Sequence, residues 1–136
     1  MEFKLKDSFG YILNSAAMKM ARSLNQKLNV YDITPYQFGT LSFLQNNEGI
    51  TQRYLADNTY EDEATTKRVV DRLIDKELLI REKDDKDKRA YKLFLTKKGR
   101  DLIPKLIELA EKTNEEFLNN FTKDELDSLQ SLIKKL

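Results

Sequence analysis

Basic residues are concentrated in one short segment of this chain. Residues 86–100 contain seven lysines and arginines against a single acid, Asp87, whereas residues 101–136 contain five basic residues against eight acidic ones. Because the formal net charge of the whole chain is only +1, this local excess of positive charge indicates a surface for a polyanion such as DNA. Taken on charge alone, a solvated charged loop without a ligand is the alternative interpretation.

A second group of side chains has the chemistry needed to read DNA bases. Asp62 can cap a helix of about fifteen residues on which Val70 and Leu73 share the buried face. Five residues face outward or flank that face: Ala64, Thr65, Lys67, Arg68 and Arg72. Threonine can donate to a base or contact a thymine methyl, and arginine can donate two hydrogen bonds to guanine, so this helix suits the major groove. The alternative is a solvated face on which the cations lie beside Asp71 and Asp75.

The residues preceding this helix indicate contacts with a DNA backbone. Thr51, Gln52 and Arg53 lie at the predicted start of a short helix, where free backbone N–H groups suit a phosphate. Thr51 is also an ordinary helix cap, and it fulfils that role under either interpretation. Phosphate contacts are therefore expected from these three residues.

The residue types that most enzymes and metal sites need are absent from the sequence. There is no histidine and no cysteine, so disulfides, thiol redox chemistry and the usual zinc, copper and iron sites are not expected. General acid–base catalysis most often uses histidine. No Gly-rich phosphate loop or isolated carboxylate pair on an apolar face replaces it. The chain is expected not to be an enzyme and to need no metal or cofactor.

Hydropathy predicts a water-soluble protein. Charged residues make up 35% of the chain, its mean hydropathy is −0.65, and it has no run of about 18 apolar residues that could span a membrane. The first residues lack an apolar stretch followed by a small-residue cleavage site. A cytoplasmic location without membrane contact is expected.

Apolar spacing and capping residues predict a mostly helical chain. The first helix is expected over about Phe9 to Leu28, where apolar residues recur at three- and four-residue spacing. Gln37 and Glu125 are placed to complete capping boxes. Further helices are expected after the residues that can cap them, namely Thr34, Thr51, Asp62, Thr96 and Thr122.

The spacing of apolar residues changes to that of strands after Lys76. Leu78–Ile80 and Tyr91–Leu95 are predicted as two strands joined by residues 82–89. That connection is wholly charged, so it is expected to stand in water or on a ligand. Its tip consists of Lys86, Asp87, Lys88 and Arg89. A helix-turn-helix followed by such a hairpin is a winged helix, so the predicted fold class is mainly α, with a winged helix-turn-helix and a two-stranded β-wing.

The two ends of the chain carry more apolar helix surface than a winged helix can cover. Unburied stripes of that size need a partner, and self-association is the simplest one. We expect a homodimer of one unit, residues 1–136. Residues 32–99 form its DNA-binding part, and residues 1–31 and 100–136 form its helical dimerisation part.

The segment from Asp87 to Gly99 resembles the wing signature of the MarR (multiple antibiotic resistance regulator) family, D-x-R-[AS]-x-x-[VL]-x-L-T-x-x-G, and matches it at every fixed position. Upstream, Thr51-Gln52-x-x-Leu55-Ala56 is similar to the first helix of the family's motif. Thr65-x-x-Arg68-x-x-Asp71-Arg72-Leu73 is similar to its recognition helix. The resemblance runs from about residue 9 to the end.

The resemblance implies a dimeric, DNA-binding transcription regulator whose terminal helices intertwine. Each winged helix then binds one half of a near-palindromic operator, and Arg89, oriented by Asp87, enters the minor groove. A guanidinium suits that narrow, negative groove because it sheds water easily. For Asp87 and Arg89 the alternative is a turn-stabilising ion pair. For the whole chain it is a winged helix that binds proteins rather than DNA.

The resemblance also implies a repressor that answers to a small aromatic or anionic effector bound between the dimer helices and the winged helix. The residues that could line such a pocket are Tyr11, Met18, Met20, Tyr36 and Phe38. The alternative is that this aromatic and methionine set is plain core. The lack of cysteine excludes the peroxide-sensing thiol that some relatives use, and the lack of histidine argues against zinc sensing.

The chain departs from the family pattern in two places. Glu77 stands where the family often has a glycine, and a left-handed helix stop there would strain it. Asp62 and Glu63 place acids at the tip of the recognition helix, where the family frequently has a lysine. Acids there favour the helix dipole but repel phosphate, and Glu63 could accept from a cytosine amino group.

Overall fold

The computed structural model describes residues 1–59 and 61–136. The sequence predicts that Asn58-Thr59-Tyr60 ends the short helix that begins after Thr51, and Tyr60 lies outside the described residues. Within these described ranges, six α-helices and one hairpin follow one another in the order α1, α2, α3, α4, β1, β2, α5, α6. Their bounds are α1 Phe9–Leu28, α2 Pro35–Gln45, α3 Gln52–Asp57, α4 Glu63–Asp75, β1 Leu79–Lys83, β2 Tyr91–Leu95, α5 Lys97–Leu118 and α6 Lys123–Ile133. Two short 3₁₀ helices, Leu5–Asp7 and Asn29–Tyr31, flank α1 and were not predicted. The mainly helical winged helix-turn-helix is confirmed.

Each predicted helix cap is present. The Thr34 hydroxyl accepts from the Gln37 backbone N–H at 3.1 Å, and the Gln37 side chain accepts from the Thr34 N–H at 3.2 Å. Thr122 and Glu125 make the same reciprocal pair at the start of α6. Single caps at Thr51, Asp62 and Thr96 start α3, α4 and α5. Because a cap needs only residues three apart, these helix starts are encoded locally.

The wing is an antiparallel hairpin that is longer on its first strand than predicted. The strands pair from Leu79 opposite Leu95 to Lys83 opposite Tyr91. The prediction that the whole charged stretch 82–89 is unpaired was therefore wrong at its start. Glu82 and Lys83 are exposed but find backbone partners across the strand, so their charge does not prevent pairing. Residues 84–90 lie beyond the paired strands and form the tip, which is closed by a hydrogen bond from the Asp84 N–H to the Ala90 carbonyl at 3.0 Å.

The hydrophobic core occupies the middle of the chain and leaves both ends bare. Its buried members come from the end of α1 through to the first half of α5: Leu28, Ile33, Leu41, Leu44, Leu55, Val70, Leu73, Leu78, Leu79, Leu93, Leu95, Ile103 and Leu106. In α1 only Leu28 is buried, and none of the described residues of α6 is. The core therefore holds the two helices of the motif and the base of the wing together as one body.

Close backbone contacts fix the wing against its neighbours. A Cβ on Gly99 would lie 2.3 Å from the carbonyl oxygen of Leu78, so the start of α5 approaches β1 at a distance that only glycine permits. On the other side, the Gly49 N–H donates to the Leu93 carbonyl at 2.8 Å, and the Leu93 N–H donates to the Ile50 carbonyl at 2.9 Å. These bonds attach the start of α3 to β2, so the wing cannot swing independently of the helix-turn-helix.

Candidate nucleic-acid interface

A groove of about 870 Å³ lies where the start of α3, the start of α4 and the wing meet. Its lining contains four cations, which are Arg53, Lys67, Arg81 and Arg89, and two acids, Glu63 and Asp87. The remaining lining residues are Thr51, Gln52, Ala56, Ala64, Ala90 and Tyr91. The fold thus brings members of the predicted set from each of three separate segments into one groove. That surface has the excess of positive charge that a phosphate backbone attracts.

The recognition-helix residues lie on the outer side of α4. Ala64, Lys67, Arg68 and Arg72 are exposed and Thr65 is half-buried, while Val70 and Leu73 are fully buried. Ala64 and Lys67 line the groove; the other three do not. The Thr65 hydroxyl accepts from the Arg68 guanidinium at 3.2 Å. Four of the five positions expected to face outward or flank that face are therefore exposed, because α4 packs with its opposite face on the core.

The wing tip presents its cations to solvent. Lys86, Asp87, Lys88 and Arg89 are all exposed, and Asp87 and Arg89 line the groove. The Asp87 carboxylate accepts from the backbone N–H of Arg89 at 3.0 Å, and the Asp87 carbonyl accepts from the Ala90 N–H at 3.0 Å. Among the described residues the Arg89 guanidinium has no ion-pair partner within 4.0 Å. Asp87 thus shapes the turn through the backbone and leaves the Arg89 guanidinium free.

The three residues expected to contact phosphate lie at the start of α3. The Thr51 hydroxyl is used as the helix cap, accepting from the Tyr54 N–H at 3.0 Å. Gln52 accepts through its Oε1 from Arg81 at 2.9 Å, so its amide hydrogens remain available to a ligand. The Arg53 side chain is 81% exposed and lies 3.9 Å from Glu63.

Arg81 is the residue of this surface that the sequence reasoning missed. One of its terminal nitrogens donates to the Asp71 carboxylate at 2.7 Å and to the Gln52 side chain at 2.9 Å, and its guanidinium lies 5.8 Å from the centre of the Tyr91 ring. Asp71 also accepts from Lys67 at 2.8 Å. The hydrogen bonds from Lys67 and then from Arg81 hold the pKa of the Asp71 carboxyl below its ordinary value. One strand side chain therefore connects α3, α4 and the wing.

The alternation of side chains along the first strand could have indicated which side of the hairpin Arg81 occupies, but not which residues it contacts. The strand was predicted to end at Ile80, which left Arg81 without an element. Extension of the strand by one residue places Arg81 and Leu79 on the same side of the hairpin, opposite to the exposed Ile80. Its partners Asp71 and Gln52 are 10 and 29 residues away, so only the assembled fold shows the network.

The five residues expected to line an effector pocket are dispersed over α1 and α2. Tyr11 and Met18 are exposed on α1, and Tyr36 is 61% exposed at the start of α2. Met20 is half-buried, and Phe38 packs against the core. Within one subunit the plain-core alternative thus fits Phe38 and not the three exposed residues. Whether the five form a pocket stays a prediction.

The described part of the chain contains neither a metal-ligating cluster nor a helix that could span a membrane. Residues 1–59 and 61–136 contain no group of three or more metal-ligating side chains close enough to share an ion. In the same residues no helix has the length and apolarity needed to cross a lipid bilayer. The groove beside the wing is the feature to which the predicted functional residues converge.

Comparison with known proteins agrees with this geometry. A family model described as the MarR family matches residues 31–90. The chain is 30% identical over 109 residues to the HTH-type transcriptional regulator YsmB of Bacillus subtilis (strain 168), an uncharacterised protein, which covers 80% of this chain and 75% of that one. A mutant of MarR from E. coli, solved in complex with operator DNA, superposes with a TM-score of 0.87 at 30% identity over 93% of this chain and 91% of that one. A probable transcriptional regulator from Pseudomonas aeruginosa superposes with a TM-score of 0.90 at 28% identity, over 97% and 98% of the two chains.

Proposed function

The chain belongs to the MarR family of winged-helix regulators, and on this premise we propose that it is a homodimeric transcription regulator that binds duplex DNA. One observation carries the proposal. The groove beside the wing gathers side chains from α3, α4 and the hairpin tip, and four of its residues are cations. The related E. coli protein was solved on operator DNA, which favours this function over the alternative of a winged helix that binds only proteins.

The residues proposed to contact DNA lie in the groove and beside it, and they differ in role. Ala64, Thr65, Lys67, Arg68 and Arg72 face base edges in the major groove, where α4 fits. Arg89 enters the adjacent minor groove, supported by its free guanidinium and by Asp87 behind its backbone. Thr51, Gln52 and Arg53 bind phosphate at the start of α3. Lys86 and Lys88 add positive charge at the exposed tip of the wing.

Dimerisation places two such surfaces on one DNA molecule. We propose that residues 32–99 form the DNA-binding part and that residues 1–31 and 100–136 form the dimer, since the core lies in the middle of the chain and the helices at both ends have bare apolar faces. Two-fold symmetry then requires a near-palindromic operator with half-sites about one helical turn, roughly 10 bp, apart.

We further propose that the protein is a repressor released by a small aromatic or anionic effector. An effector bound between the dimer helices and the winged helix would change the distance between the two recognition helices. Tyr11, Met18, Met20, Tyr36 and Phe38 are the residues proposed to contact it. The matched relatives are named as transcriptional regulators, and we propose no catalytic activity for this chain.

The experiment is an anisotropy titration of the dimer with the intergenic DNA beside its own gene. If about six to ten phosphates are neutralised, affinity should fall by about a thousandfold or more between 50 and 200 mM salt. Arg89→Ala should weaken binding by about tenfold. Lys105→Ala removes the same charge from the exposed surface of α5, outside the groove, and should have little effect. Binding that is absent or insensitive to salt, or unchanged retention of DNA by Arg89→Ala with the dimer intact, would contradict the proposal.

A further inference from the structure

Two acids, Asp62 and Glu63, stand at the start of α4, and Glu63 lines the groove together with four cations and one other acid, Asp87. Asp62 has a structural role, because its carboxylate accepts from the Thr65 backbone N–H at 2.7 Å. The hydrogen bonds from Thr65 hold the pKa of the Asp62 carboxyl below its ordinary value. Asp62 is therefore the helix cap, and its presence needs no further function.

Glu63 has no comparable role in the fold. Its side chain is 73% exposed and lines the groove, and the nearest cation is the Arg53 Nε at 3.9 Å, on a side chain that is 81% exposed. An ion pair this open contributes little to stability. A carboxylate in the first turn gains something from the helix dipole, but Asp62 already supplies a negative charge there. The fold alone thus does not explain an acid at this position.

The chemistry of the major groove gives the carboxylate a specific partner. Guanine presents two acceptors there and thymine an acceptor and a methyl group, so an ionised carboxylate is repelled by both. Adenine offers an amino donor with an acceptor beside it. Cytosine is the only base that presents an amino donor in the major groove and no acceptor of its own. An acceptor-only side chain at the tip of a recognition helix therefore favours cytosine and disfavours the other bases.

We propose that Glu63 determines operator specificity by accepting a hydrogen bond from a cytosine amino group in each half-site. Arg53, on the neighbouring helix, lies close enough to reduce the repulsion between this carboxylate and the nearest phosphate. The inference rests on the proposed function, since it needs α4 to lie in the major groove. It extends the proposed function by naming the base that the Glu63 side chain selects.

The test is selection of bound sequences from a duplex library with a randomised central region. The wild-type dimer is expected to retain a cytosine at one fixed position of each half-site. Glu63→Gln turns an acceptor into a side chain that both donates and accepts, so the preference at that position should move to adenine. Glu63→Ala should leave the position without a preference. Asp75→Asn makes the same change of charge at the exposed far end of α4, outside the groove and outside the residues proposed to form the dimer, and should select the wild-type sequence.

Equilibrium titrations separate base reading from a general charge effect. Replacing the cytosine of the wild-type operator should lower the affinity of the wild-type protein by about fivefold or more. The same replacement should leave the affinity of Glu63→Ala unchanged. On unrelated DNA, both Glu63 variants should bind more tightly than wild type, because a negative charge has left the groove. A folding defect would weaken binding to every DNA, so it would not produce tighter binding of the variants to unrelated DNA.

Two outcomes overturn the inference, and they are distinguishable. If Glu63→Gln and Glu63→Ala select the wild-type sequence with wild-type discrimination, Glu63 reads no base and the proposed function stands. If the wild-type dimer itself selects no sequence, the proposed function fails together with the inference.

Discussion

Glu77 is the residue at which α4 ends and the chain turns into the wing. Its backbone is left-handed, with φ of 62°. The Leu78 N–H donates to the Leu73 carbonyl and the Glu77 N–H to the Ile74 carbonyl, both at 2.9 Å, which is the Schellman pattern of a helix end. Glu77 thus has the left-handed conformation that glycine usually adopts at the end of a helix, and this conformation strains a residue that has a Cβ.

Glu77→Gly is therefore expected to stabilise the protein. Relief of the left-handed strain outweighs the greater backbone freedom of glycine in the unfolded chain, and we expect the free energy of unfolding to rise by about 1 kcal/mol. Urea denaturation at fixed protein concentration measures it. Glu111→Gly makes the same change in the right-handed interior of α5, where it should cost about 1 kcal/mol. A loss of stability in Glu77→Gly would contradict the strain argument.

At the scale of the elements, Arg81 sets the relative positions of three parts of the interface. It touches α3 through Gln52, α4 through Asp71, and the second wing strand through Tyr91. Its side chain is only 25% exposed, and its hydrogen bonds are made within the protein. It is a positioning residue, since it holds the DNA-contacting groups at fixed distances rather than supplying one of them.

Arg81→Ala is expected to weaken operator binding by about tenfold without changing the number of phosphate contacts. The slope of log affinity against log salt should equal that of the wild type, whereas Arg89→Ala should reduce it if its guanidinium displaces a counterion. Arg81→Lys retains the charge and should restore part of the affinity. A reduced salt slope in Arg81→Ala, with full thermal stability, would instead show that Arg81 contacts the DNA directly.

The helices could be predicted closely because the signals that start them are local. The bounds of α1 agree with the prediction, and the capping box of Thr34 and Gln37 is made within a single turn. The first wing strand was predicted too short because Glu82 and Lys83 look like loop residues. Their partners Lys92 and Tyr91 lie across the hairpin, so pairing is decided by register rather than by composition.

The candidate site was predictable in its parts but not as a network. The exposed face of α4 followed from helical spacing, and the wing tip followed from its charge and from the family signature. The double hydrogen bond of Arg81, the backbone role of Asp87 and the capping of Thr51 depend on atoms that meet only after folding. Sequence patterns identify such residues as polar and assign them to a helix or a hairpin, but they do not determine their hydrogen-bond partners.

At the scale of the whole molecule, a single subunit leaves both of its ends uncovered. Exposed apolar side chains on α1 include Phe9 and Ile12, which are 82% and 47% exposed. On α6 they are Leu129, Leu132 and Ile133, at helical spacing and 39–59% exposed. Soluble monomers rarely expose contiguous apolar surface of this kind. A second copy that covers both ends is the partner proposed above, and it also doubles the DNA contacts.

Leu132→Glu is therefore expected to convert the dimer into a monomer, because it places a charge in the middle of the apolar stripe of α6. Gln130→Glu adds the same charge to an exposed polar position two residues away and should remain dimeric. Sedimentation equilibrium measures both masses. Since two linked recognition helices bind a palindrome far more tightly than one, the monomer should lose at least about a hundredfold in operator affinity. A wild-type protein that sediments at 16.0 kDa, or a Leu132→Glu variant that stays dimeric with full affinity, would show that α6 does not form the interface.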